Sequence, residues 1–340
     1  MESVVFFDMG PLSVRFMEDK KAALPFSCVF KEKQLNALTA KELSPYKEAS
    51  VISVFPHTQK IDLALLDEFK NLKLITTRST GFDHIDAAYC KKRGIQVRNV
   101  PRYGEITVAE FTFGLLLDLT RKITSVNQAM KNGHLSLDNY IGLDLHGRTL
   151  GVIGTGTIGR HVIHLALSFG MKVLAYDLYP NEEVKKTGVE YVSLDDLYQQ
   201  SEIITLHVPS TKENYHLLNA QAFAKMKQGV YIINTARGDL IETEALYEAL
   251  QSGKIAGAGL DVLEHEELLI HDDIRFPNEK LLHKETLLSS LINTKLLQME
   301  NVLITPHTAF NSIDAIHRIL ATTLDNIKAF FEKKDINRVW

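Results

Sequence analysis

The sequence has few cysteines, no excess of basic residues and no long apolar segment, and each shortage excludes a class of protein. Its only two cysteines, Cys28 and Cys90, cannot form a disulfide framework or a cysteine-based zinc site. This usage is typical of a reducing compartment, so we expect a cytoplasmic protein. The formal net charge of -4 gives no support to a nucleic-acid partner, which would normally require a basic stripe.

Apolar residues are never clustered densely enough to suggest a membrane protein. No segment reaches the roughly 18 consecutive apolar residues that a membrane span needs. The N-terminal segment MESVVFFDMGPLSVRF reads as a short strand and a loop, without the basic start and long apolar core of a secretory signal. We therefore expect neither a membrane partner nor export.

Short apolar segments alternate with helical segments along most of the chain. Strand-like segments are Val51–Val54, Leu74–Thr77, Ile95–Arg98, Leu150–Ile153, Lys172–Tyr176, Ile203–Val208, Val230–Asn234, Ala256–Leu260 and Val302–Thr305. Helix-like segments between and after them include Gly156–Ser168, Thr243–Gln251 and Ser312–Phe331. This alternation predicts an α/β protein with parallel sheets covered by helices on both faces. The chain has 340 residues, which is longer than a single hydrophobic core usually supports, so we expect two domains.

Two segments do not fit this regular alternation. Ala109–Met130 is predicted to be one long helix, and its many Leu and Phe residues suggest that it also serves a subunit interface. Glu267–Glu300 has several charges and no strand signal. It is interpreted as a helical insertion or lid, with a plain surface loop as the equal alternative.

A glycine-rich turn connects the strand-like Thr149–Ile153 to the helical segment that follows. It reads Gly154-Thr155-Gly156-Thr157-Ile158-Gly159. Its three glycines allow a tight turn, a close approach of pyrophosphate and close packing of helix on strand, and the helix start offers N–H groups to phosphate. Asp177 ends the next strand at roughly the 20-residue spacing of the acid that binds the adenosine ribose. Because a carboxylate there repels the 2′-phosphate of NADP, the turn predicts NAD as cofactor.

Charged or titratable residues follow three successive strand-like segments. These residues are Arg237, an acidic stretch that ends in Glu266, and His307. Residues just beyond the C-terminal ends of parallel strands face the ligand crevice. The sequence therefore predicts that the three side chains lie at one edge of a sheet.

Each of the three has a plainer interpretation when it is considered alone. Arg237 could be a solvated residue of a strand-end turn, and His307 a capping or buried structural histidine. Glu266 lies in a polar stretch with Glu264, and residue types do not separate the two glutamates.

A local group of histidines and glutamates raises the question of a metal site. It comprises His265, Glu266, Glu267 and His271. The order of these residues is not the HExxH pattern that zinc sites place on a helix. We therefore expect no metal.

With these motifs the sequence resembles the D-2-hydroxyacid dehydrogenases, in particular their D-lactate dehydrogenase-like branch. The resemblance covers nearly the whole chain and rests on TRSTGFDHID, GVIGTGTIG, LHVP, INTARGDLI, GLDVLEHEE and ITPHTAF, in the family's order and spacing. It implies two Rossmann-like domains with the active site in the cleft between them. The substrate domain is expected from residues 1–101 and 311–340, and the NAD-binding Rossmann domain from residues 102–310.

The resemblance implies NAD-dependent reduction of a small 2-keto acid, most simply pyruvate, to the D-2-hydroxy acid. Its catalytic residues fall on Arg237, Glu266 and His307, and the spacing matches Glu266 rather than Glu264. These residue types suit the chemistry, because an arginine fork binds a carboxylate and polarises the adjacent carbonyl. A histidine supplies the proton, and a carboxylate on its other ring nitrogen fixes the tautomer.

The resemblance also implies the ligand contacts. Those matched to the cofactor are Gly154, Thr155, Gly156, Thr157, Ile158, Gly159, Asp177, His207, Val208, Pro209, Thr235, Ala236, Arg237, Asp261 and His307. Those matched to the substrate are Thr80, Gly81, Tyr103, Arg237 and His307. Ordinary strand-end packing is an equal interpretation for Val208 and Pro209, as is a hinge aromatic for Tyr103.

Three departures from the D-lactate pattern leave the substrate side chain open. Thr80 replaces a common Val, Gly104-Glu105 a common Ser-Pro, and Phe310-Asn311 a Tyr-Tyr pair. The alternatives are another D-2-hydroxy acid of the glyoxylate, hydroxyisocaproate or phosphoglycerate type, and a non-catalytic NAD-sensing corepressor. A small-molecule acid and a second copy of the chain, in a homodimer, are the expected partners.

Overall fold

The computed structural model describes residues 3–56, 61–134, 138–266 and 284–340, and the chain divides into two compact units. Unit 1 comprises Met1–Tyr103 and Asn311–Trp340, and unit 2 comprises Gly104–Phe310. The strands are β1 Ser3–Phe6, β2 Ser27–Phe30, β3 Val51–Val54, β4 Leu74–Thr77, β5 Gln96–Arg98, β6 Thr149–Ile153, β7 Lys172–Tyr176, β8 Glu190–Tyr191, β9 Ile203–Leu206, β10 Val230–Asn234, β11 Ile255–Leu260 and β12 Val302–Ile304. The helices are α1 Pro11–Lys21, α2 Ala40–Leu43, α3 Leu63–Glu68, α4 Ala87–Arg93, α5 Glu105–Arg121, α6 Ile123–Lys131, α7 Thr157–Ser168, α8 Glu182–Lys185, α9 Leu194–Gln200, α10 Ala220–Lys225, α11 Thr243–Gln251, α12 Lys284–Leu296 and α13 Ile313–Phe331.

Unit 1 is built on a parallel five-stranded sheet in the order β2-β1-β3-β4-β5. Every residue of β3 and β4 is buried, which explains why both strands read as unbroken apolar and β-branched segments. The C-terminal helix α13 covers part of this sheet, since Leu320, Leu324 and Ile327 share a core with residues of β1, β3 and β4. The unit therefore needs both ends of the chain.

A buried arginine ties the strand ends of unit 1 together. Arg78 directly follows β4, and its Nη2 donates to the carbonyl oxygens of Phe7 at 2.6 Å and Asp8 at 2.7 Å. Its Nη1 donates to Ser53 Oγ at 3.1 Å. The guanidinium thereby links the ends of β1, β3 and β4 beside the segment that contains Thr80 and Gly81.

Unit 2 is built on a parallel seven-stranded sheet in the order β12-β11-β10-β9-β6-β7-β8. The chain first builds outward from β6 to β8 and then returns to add β9 to β12 on the other side of β6. The strand order reverses between β6 and β9, and ligands of such sheets bind beyond the strand ends at this point. The expected α/β fold with two Rossmann-like parallel sheets is confirmed.

The predicted single helix Ala109–Met130 is wrong. The structure has two helices, α5 and α6, separated by Lys122 in the left-handed conformation with φ of 54°. The Asp118 carboxylate accepts the backbone N–H of Thr124 at 2.7 Å, so a side chain of the first helix satisfies an N–H in the first turn of the second. Apolar periodicity continues through both helices and does not reveal such a break.

Other elements differ from the prediction in number or in length. Strands β2 and β8 were not predicted, and β9 ends at Leu206 instead of Val208. Residues 267–283 of the predicted helical insertion or lid lie outside the described residues, and α12 occupies much of the remainder. In the described ranges, no helix is both long and apolar enough to cross a membrane.

Candidate active site

The glycine-rich turn follows β6 and begins α7. Gly154 has φ of 98°, and a Cβ on it would lie 2.5 Å from His207 O, so only glycine fits there. A Cβ on Gly159 would lie 2.0 Å from Gly154 O, which shows how closely the helix packs on the turn. A Cβ on Gly156, in contrast, would meet no atom within 4 Å. The middle glycine therefore faces open space, as a residue that admits pyrophosphate should.

The start of α7 and the end of β7 supply complementary groups beside this space. Gly156 is the N-cap of α7 and has no side chain to make a capping bond. The backbone N–H groups in the first turn of the helix, at Thr157 and Ile158, therefore have no side-chain acceptor from the N-cap. At the end of β7, Asp177 Oδ2 accepts the backbone N–H of Thr155 at 2.6 Å. The backbone N–H groups at the start of α7 and the carboxylate of Asp177 therefore follow the neighbouring strands β6 and β7. Their chemistry fits the phosphates and ribose hydroxyls of NAD, and the contacts themselves stay predictions.

His207 follows β9 on the other side of the strand-order reversal. Its backbone N–H donates to Ile153 O at 2.7 Å, and its Nε2 lies 2.9 Å from Thr205 Oγ1. Burial lowers the pKa of its imidazole to about 3, so the ring is neutral near pH 7. Next to it, Val208 is half-buried and Pro209 is exposed. The cofactor contacts expected of these residues stay predictions.

Arg237 stands in a sharp turn after β10. The turn is held by buried Asn234, whose Oδ1 accepts Ala236 N–H at 3.0 Å and whose Nδ2 donates to Arg237 O at 2.8 Å. Thr235 Oγ1 lies 3.0 Å from Thr112 Oγ1 of α5. Arg237 is exposed and donates to Ala236 O, and no carboxylate of the described chain lies within ion-pair distance of it. Its guanidinium is therefore available to an anionic ligand.

Asp261 connects the end of β11 to the turn after β12. Its Oδ1 accepts Thr308 N–H at 2.9 Å, its Oδ2 accepts Ala309 N–H at 2.9 Å, and its carbonyl oxygen accepts His307 N–H at 2.8 Å. Burial raises the pKa of this carboxyl, although the hydrogen bonds from Thr305 and the turn oppose the shift. Asp261 thus holds the turn that presents His307, and its expected place beside the nicotinamide stays a prediction.

His307 and Glu266 form a close pair. His307 Nδ1 lies 2.7 Å from Glu266 Oε1, and Glu266 Oε2 accepts Leu263 N–H at 3.1 Å. His307 has φ of 52°, a conformation uncommon for a residue with a side chain, and its side chain is exposed. Its Nε2 has no hydrogen-bond partner in the described ranges. The pair leaves one ring nitrogen available to a ligand.

Glu264 has a different position from Glu266. It is buried, its Oε1 accepts from Tyr215 Oη at 2.9 Å and lies 2.8 Å from His216 Nε2, and its Oε2 accepts from Thr243 Oγ1 at 2.9 Å. Burial by itself would raise the pKa of Glu264, but these hydrogen bonds lower it below its ordinary value. Of the two glutamates that residue types could not separate, only Glu266 is paired with His307.

The predicted substrate contacts Thr80, Gly81 and Tyr103 belong to unit 1. Thr80 Oγ1 donates to Val100 O at 3.0 Å, and Tyr103 O accepts from Arg318 Nε at 2.7 Å. The backbone N–H groups of Thr80 and Gly81 have no acceptor in the part of the chain that the structure describes. These N–H groups could bind a carboxylate.

Sequence reasoning did not find several residues that build this site. Gly238 is one, because a Cβ on it would lie 2.1 Å from the carbonyl carbon of Leu263. The turn after β10 therefore lies directly against the segment that carries Glu266. A second is Asn234, whose place at the end of an apolar strand was an available signal. Within the described residues no group of three or more potential ligands could hold a metal ion, and Glu267 and His271 lie outside them.

Residues 113–309 match the family model described as "D-isomer specific 2-hydroxyacid dehydrogenase, NAD binding domain". The chain belongs to the D-isomer specific 2-hydroxyacid dehydrogenases. The match includes the glycine-rich turn, Asp177, Arg237, Glu266 and His307, and it covers more than half of the sequence. This dehydrogenase is therefore an NAD-dependent oxidoreductase of D-2-hydroxy acids, as the motifs predicted.

Relatives of this dehydrogenase include proteins named for different substrates. It is 44% identical over 260 residues to an aromatic 2-oxoacid reductase of Clostridium sporogenes, covering 76% of each chain. It is 39% identical over 284 residues to a D-lactate dehydrogenase of Lactiplantibacillus plantarum, covering 84% of this chain and 82% of that one. A D-lactate dehydrogenase of Aquifex aeolicus, solved with NAD and lactic acid, is 40% identical with a TM-score of 0.81, covering 97% and 96% of the two chains.

Proposed function

We propose that this dehydrogenase reduces a small 2-keto acid, with pyruvate as the best candidate, to the D-2-hydroxy acid. The observation that carries the proposal is the 2.7 Å pair of His307 Nδ1 and Glu266 Oε1. The pair follows strands β11 and β12 of the sheet whose neighbouring strand β10 ends just before Arg237. The anchor Arg237, Glu266 and the proton donor His307 thus follow three successive parallel strands of one sheet, an arrangement that suits 2-keto acid reduction.

His307 and Glu266 are proposed as the acid–base pair. NADH, when bound, supplies the hydride that reduces the keto carbonyl. Negative charge then develops on the carbonyl oxygen, and His307 Nε2 donates a proton to it. Glu266 accepts the Nδ1–H, which fixes the tautomer and stabilises the imidazolium form needed for reduction.

Arg237 is proposed as the anchor of the substrate carboxylate. A guanidinium binds a carboxylate through two parallel hydrogen bonds, which orients the acid as well as holding it. The exposed side chain without a carboxylate partner in the described residues supports this role. We propose the N–H groups of Thr80 and Gly81 as a second anchor and Tyr103 as a contact to the substrate.

The cofactor contacts are proposed on the same basis. The turn Gly154–Gly159 would bind pyrophosphate and Asp177 the adenosine ribose. We propose that His207, Val208 and Pro209 contact the adenosine half, and that Thr235, Ala236 and Asp261 lie on the nicotinamide side. Unit 2 then acts as the cofactor domain, and unit 1 as the substrate domain.

An aromatic 2-keto acid is the second candidate substrate. The 44% identity to an aromatic 2-oxoacid reductase favours it, whereas the Aquifex aeolicus structure with lactic acid favours pyruvate. The three departures at Thr80, Gly104-Glu105 and Phe310-Asn311 leave both open. We favour pyruvate, because the similarity to the Aquifex aeolicus structure covers 97% of this chain and the similarity to the aromatic 2-oxoacid reductase covers 76%.

A substrate panel with NADH separates these candidates. The enzyme is assayed by NADH absorbance with pyruvate, glyoxylate, 2-oxoisocaproate and phenylpyruvate, and the pyruvate product is resolved by chiral chromatography. We expect the highest kcat/KM with pyruvate and D-lactate as product. A higher kcat/KM with phenylpyruvate would transfer the assignment to aromatic acids, and L-lactate would contradict the proposed stereochemistry. No turnover with any of the four acids would contradict the proposed substrate class.

We also propose a homodimer that works in the cytoplasm. Ile106, Ile123 and Met130 on α5 and α6 keep exposed apolar side chains, which supports a subunit interface on these helices. Cys28 and Cys90 are both buried and unpaired, which supports a reducing compartment. Sedimentation equilibrium should give twice the mass of one chain, and a monomer would contradict the dimer.

A further inference from the structure

A chain of hydrogen bonds leads to the carboxylate of Asp177 from the outer edge of the unit 2 sheet. The backbone N–H of Asn181 donates to Tyr191 Oη at 3.0 Å. The Tyr191 hydroxyl donates to Thr155 Oγ1 at 2.8 Å, and the Thr155 hydroxyl donates to Asp177 Oδ2 at 3.0 Å. Four residues are thereby connected: Thr155 follows β6, Asp177 follows β7, Asn181 caps α8 and Tyr191 lies in β8. Neither Asn181 nor Tyr191 was singled out from the sequence.

The direction of every bond in this chain is fixed by its two ends. A backbone N–H can only donate, and an ionised carboxylate can only accept. Each hydroxyl between them carries a single proton, so Tyr191 must point its proton at Thr155 and Thr155 must point its own at Asp177. No second arrangement satisfies all three bonds.

The same chain determines which carboxylate oxygen remains for a ligand. Oδ2 of Asp177 accepts both the N–H and the hydroxyl of Thr155. Within the described part of the chain, Oδ1 accepts only the backbone N–H of Tyr179, at 2.9 Å, and an ionised carboxylate oxygen can accept a further bond. Oδ1 is therefore the atom that can bind the ribose hydroxyls, and the hydroxyl chain holds the carboxylate from its opposite side.

We propose that Tyr191 is a positioning residue that, through Thr155, holds Asp177 in the orientation that selects NADH over NADPH. A carboxylate discriminates against a 2′-phosphate only if it cannot rotate away from it, and selectivity depends on such an opposing group. Asp177 is anchored from behind by Thr155, whose buried hydroxyl is in turn anchored by Tyr191. The proposal rests on NAD binding and not on the identity of the keto acid.

The test measures cofactor binding to Tyr191→Phe by calorimetry, without any keto acid. The titrants are NADH, NADPH and 2′-deoxy-NADH, which lacks the hydroxyl that Asp177 would bind. We expect the affinity for NADH to fall roughly fivefold to tenfold, the effect of losing about one net hydrogen bond. The affinity for 2′-deoxy-NADH should hardly change, and the preference for NADH over NADPH should shrink.

Tyr198→Phe is the matched control. Tyr198 is a buried tyrosine of the same unit whose hydroxyl donates to Leu217 O at 3.4 Å, outside the hydroxyl chain. We expect its three affinities to equal those of the unmodified enzyme. If Tyr191→Phe weakens NADH and 2′-deoxy-NADH equally, or changes neither, Tyr191 has only a structural role and the proposal is overturned.

A second pair of variants tests the middle of the hydroxyl chain and does not depend on the folding of Tyr191→Phe. Thr155→Val removes the hydroxyl and keeps the shape, whereas Thr155→Ser keeps the hydroxyl. We expect Thr155→Val to reduce the preference for NADH over 2′-deoxy-NADH, and we expect Thr155→Ser to retain it. Equal preferences in the two variants would show that the Thr155 hydroxyl does not position Asp177, which also overturns the proposal.

Discussion

At the scale of single residues, hydrogen bonds already made within the protein decide which polar groups remain for ligands. Asp261 and Glu264 have carboxylate oxygens that accept from their neighbours, and both are buried. His307 and Arg237, in contrast, are exposed, and the ring Nε2 and most of the guanidinium have no partner in the described ranges. This difference separates groups that build the site from groups that can act on a substrate.

Loss of the proton donor should affect turnover and leave cofactor binding in place. We expect His307→Ala to reduce kcat by roughly 10²–10⁴, the usual contribution of a general acid. The NADH dissociation constant, measured by calorimetry, should change little, because the glycine-rich turn and Asp177 are intact. His134→Ala, at an exposed histidine of the same unit, is the control and should retain full activity. Unchanged kcat in His307→Ala would exclude His307 as the acid.

The two glutamates should respond differently to the loss of their charge. Glu266→Gln removes the anionic partner of the imidazolium, so keto-acid reduction should begin to fall off at a lower pH than in the unmodified enzyme. Glu264→Gln should leave that pH profile in place and lower the stability of unit 2 by about 1–3 kcal/mol, since a buried network loses a hydrogen-bond acceptor. If Glu264→Gln moves the pH profile and Glu266→Gln does not, the catalytic role belongs to Glu264 and the proposed assignment is wrong.

At the scale of elements, the strands that precede the proposed site were predictable, whereas a helix break and a short edge strand were not. Apolar segments followed by Arg237, Glu266 and His307 predicted strands whose ends carry the site, and β10, β11 and β12 are there. The break at Lys122 was missed, because a left-handed residue leaves no mark in apolar periodicity. Strand β8 was missed because it has only two residues, Glu190 and Tyr191, and lies at the edge of the sheet.

The contact between two of these turns gives a prediction for Gly238. A Cβ there would lie within 2.4 Å of three backbone atoms of Leu263 and Glu264, which cannot move aside like a flexible side chain. Gly238→Ala should therefore cost about 1–3 kcal/mol of stability and lower kcat/KM through displacement of Arg237 and Glu266. Urea unfolding and steady-state kinetics measure the two effects. Gly114→Ala, where a Cβ meets no atom within 4 Å, is the control and should lose neither, so equal behaviour of both variants would contradict the argument.

At the scale of the whole molecule, the number of domains and the parallel sheets followed from length and alternation, but the topology did not. Which strands pair with each other depends on packing that periodicity does not encode. The pairing of β9 with β6, on the side opposite β7, is an example. The residues proposed for the site could be named without the topology. Strand order decides which strand ends are neighbours, whereas the sequence alone gives the residues that follow each strand. Hydrogen-bond networks, including the one through Tyr191, require coordinates.

The partly buried His207, beside the glycine-rich turn, should make the free energy of unfolding depend on pH. Burial lowers the pKa of His207 to about 3, below its ordinary value of 6.5, so the unfolded chain takes up a proton that the folded chain does not. This contribution to stability is complete above pH 6.5 and is lost progressively as the pH falls toward 3. Between pH 7 and pH 5 the loss should reach up to about 2 kcal/mol, at 1.36 kcal/mol for each pH unit below 6.5.

Comparison of His207→Gln with the unmodified enzyme isolates this contribution. The raised pKa of Asp261 has its own effect on acidification, but that effect is common to both proteins and cancels in the difference. Circular dichroism should follow urea unfolding, because the single tryptophan, Trp340, lies in unit 1 and does not report directly on unit 2. His207→Gln should lose less stability than the unmodified enzyme between pH 7 and pH 5, whereas His134→Gln should match it. Equal losses in all three proteins would mean that folding does not lower the pKa of His207, which would contradict this prediction.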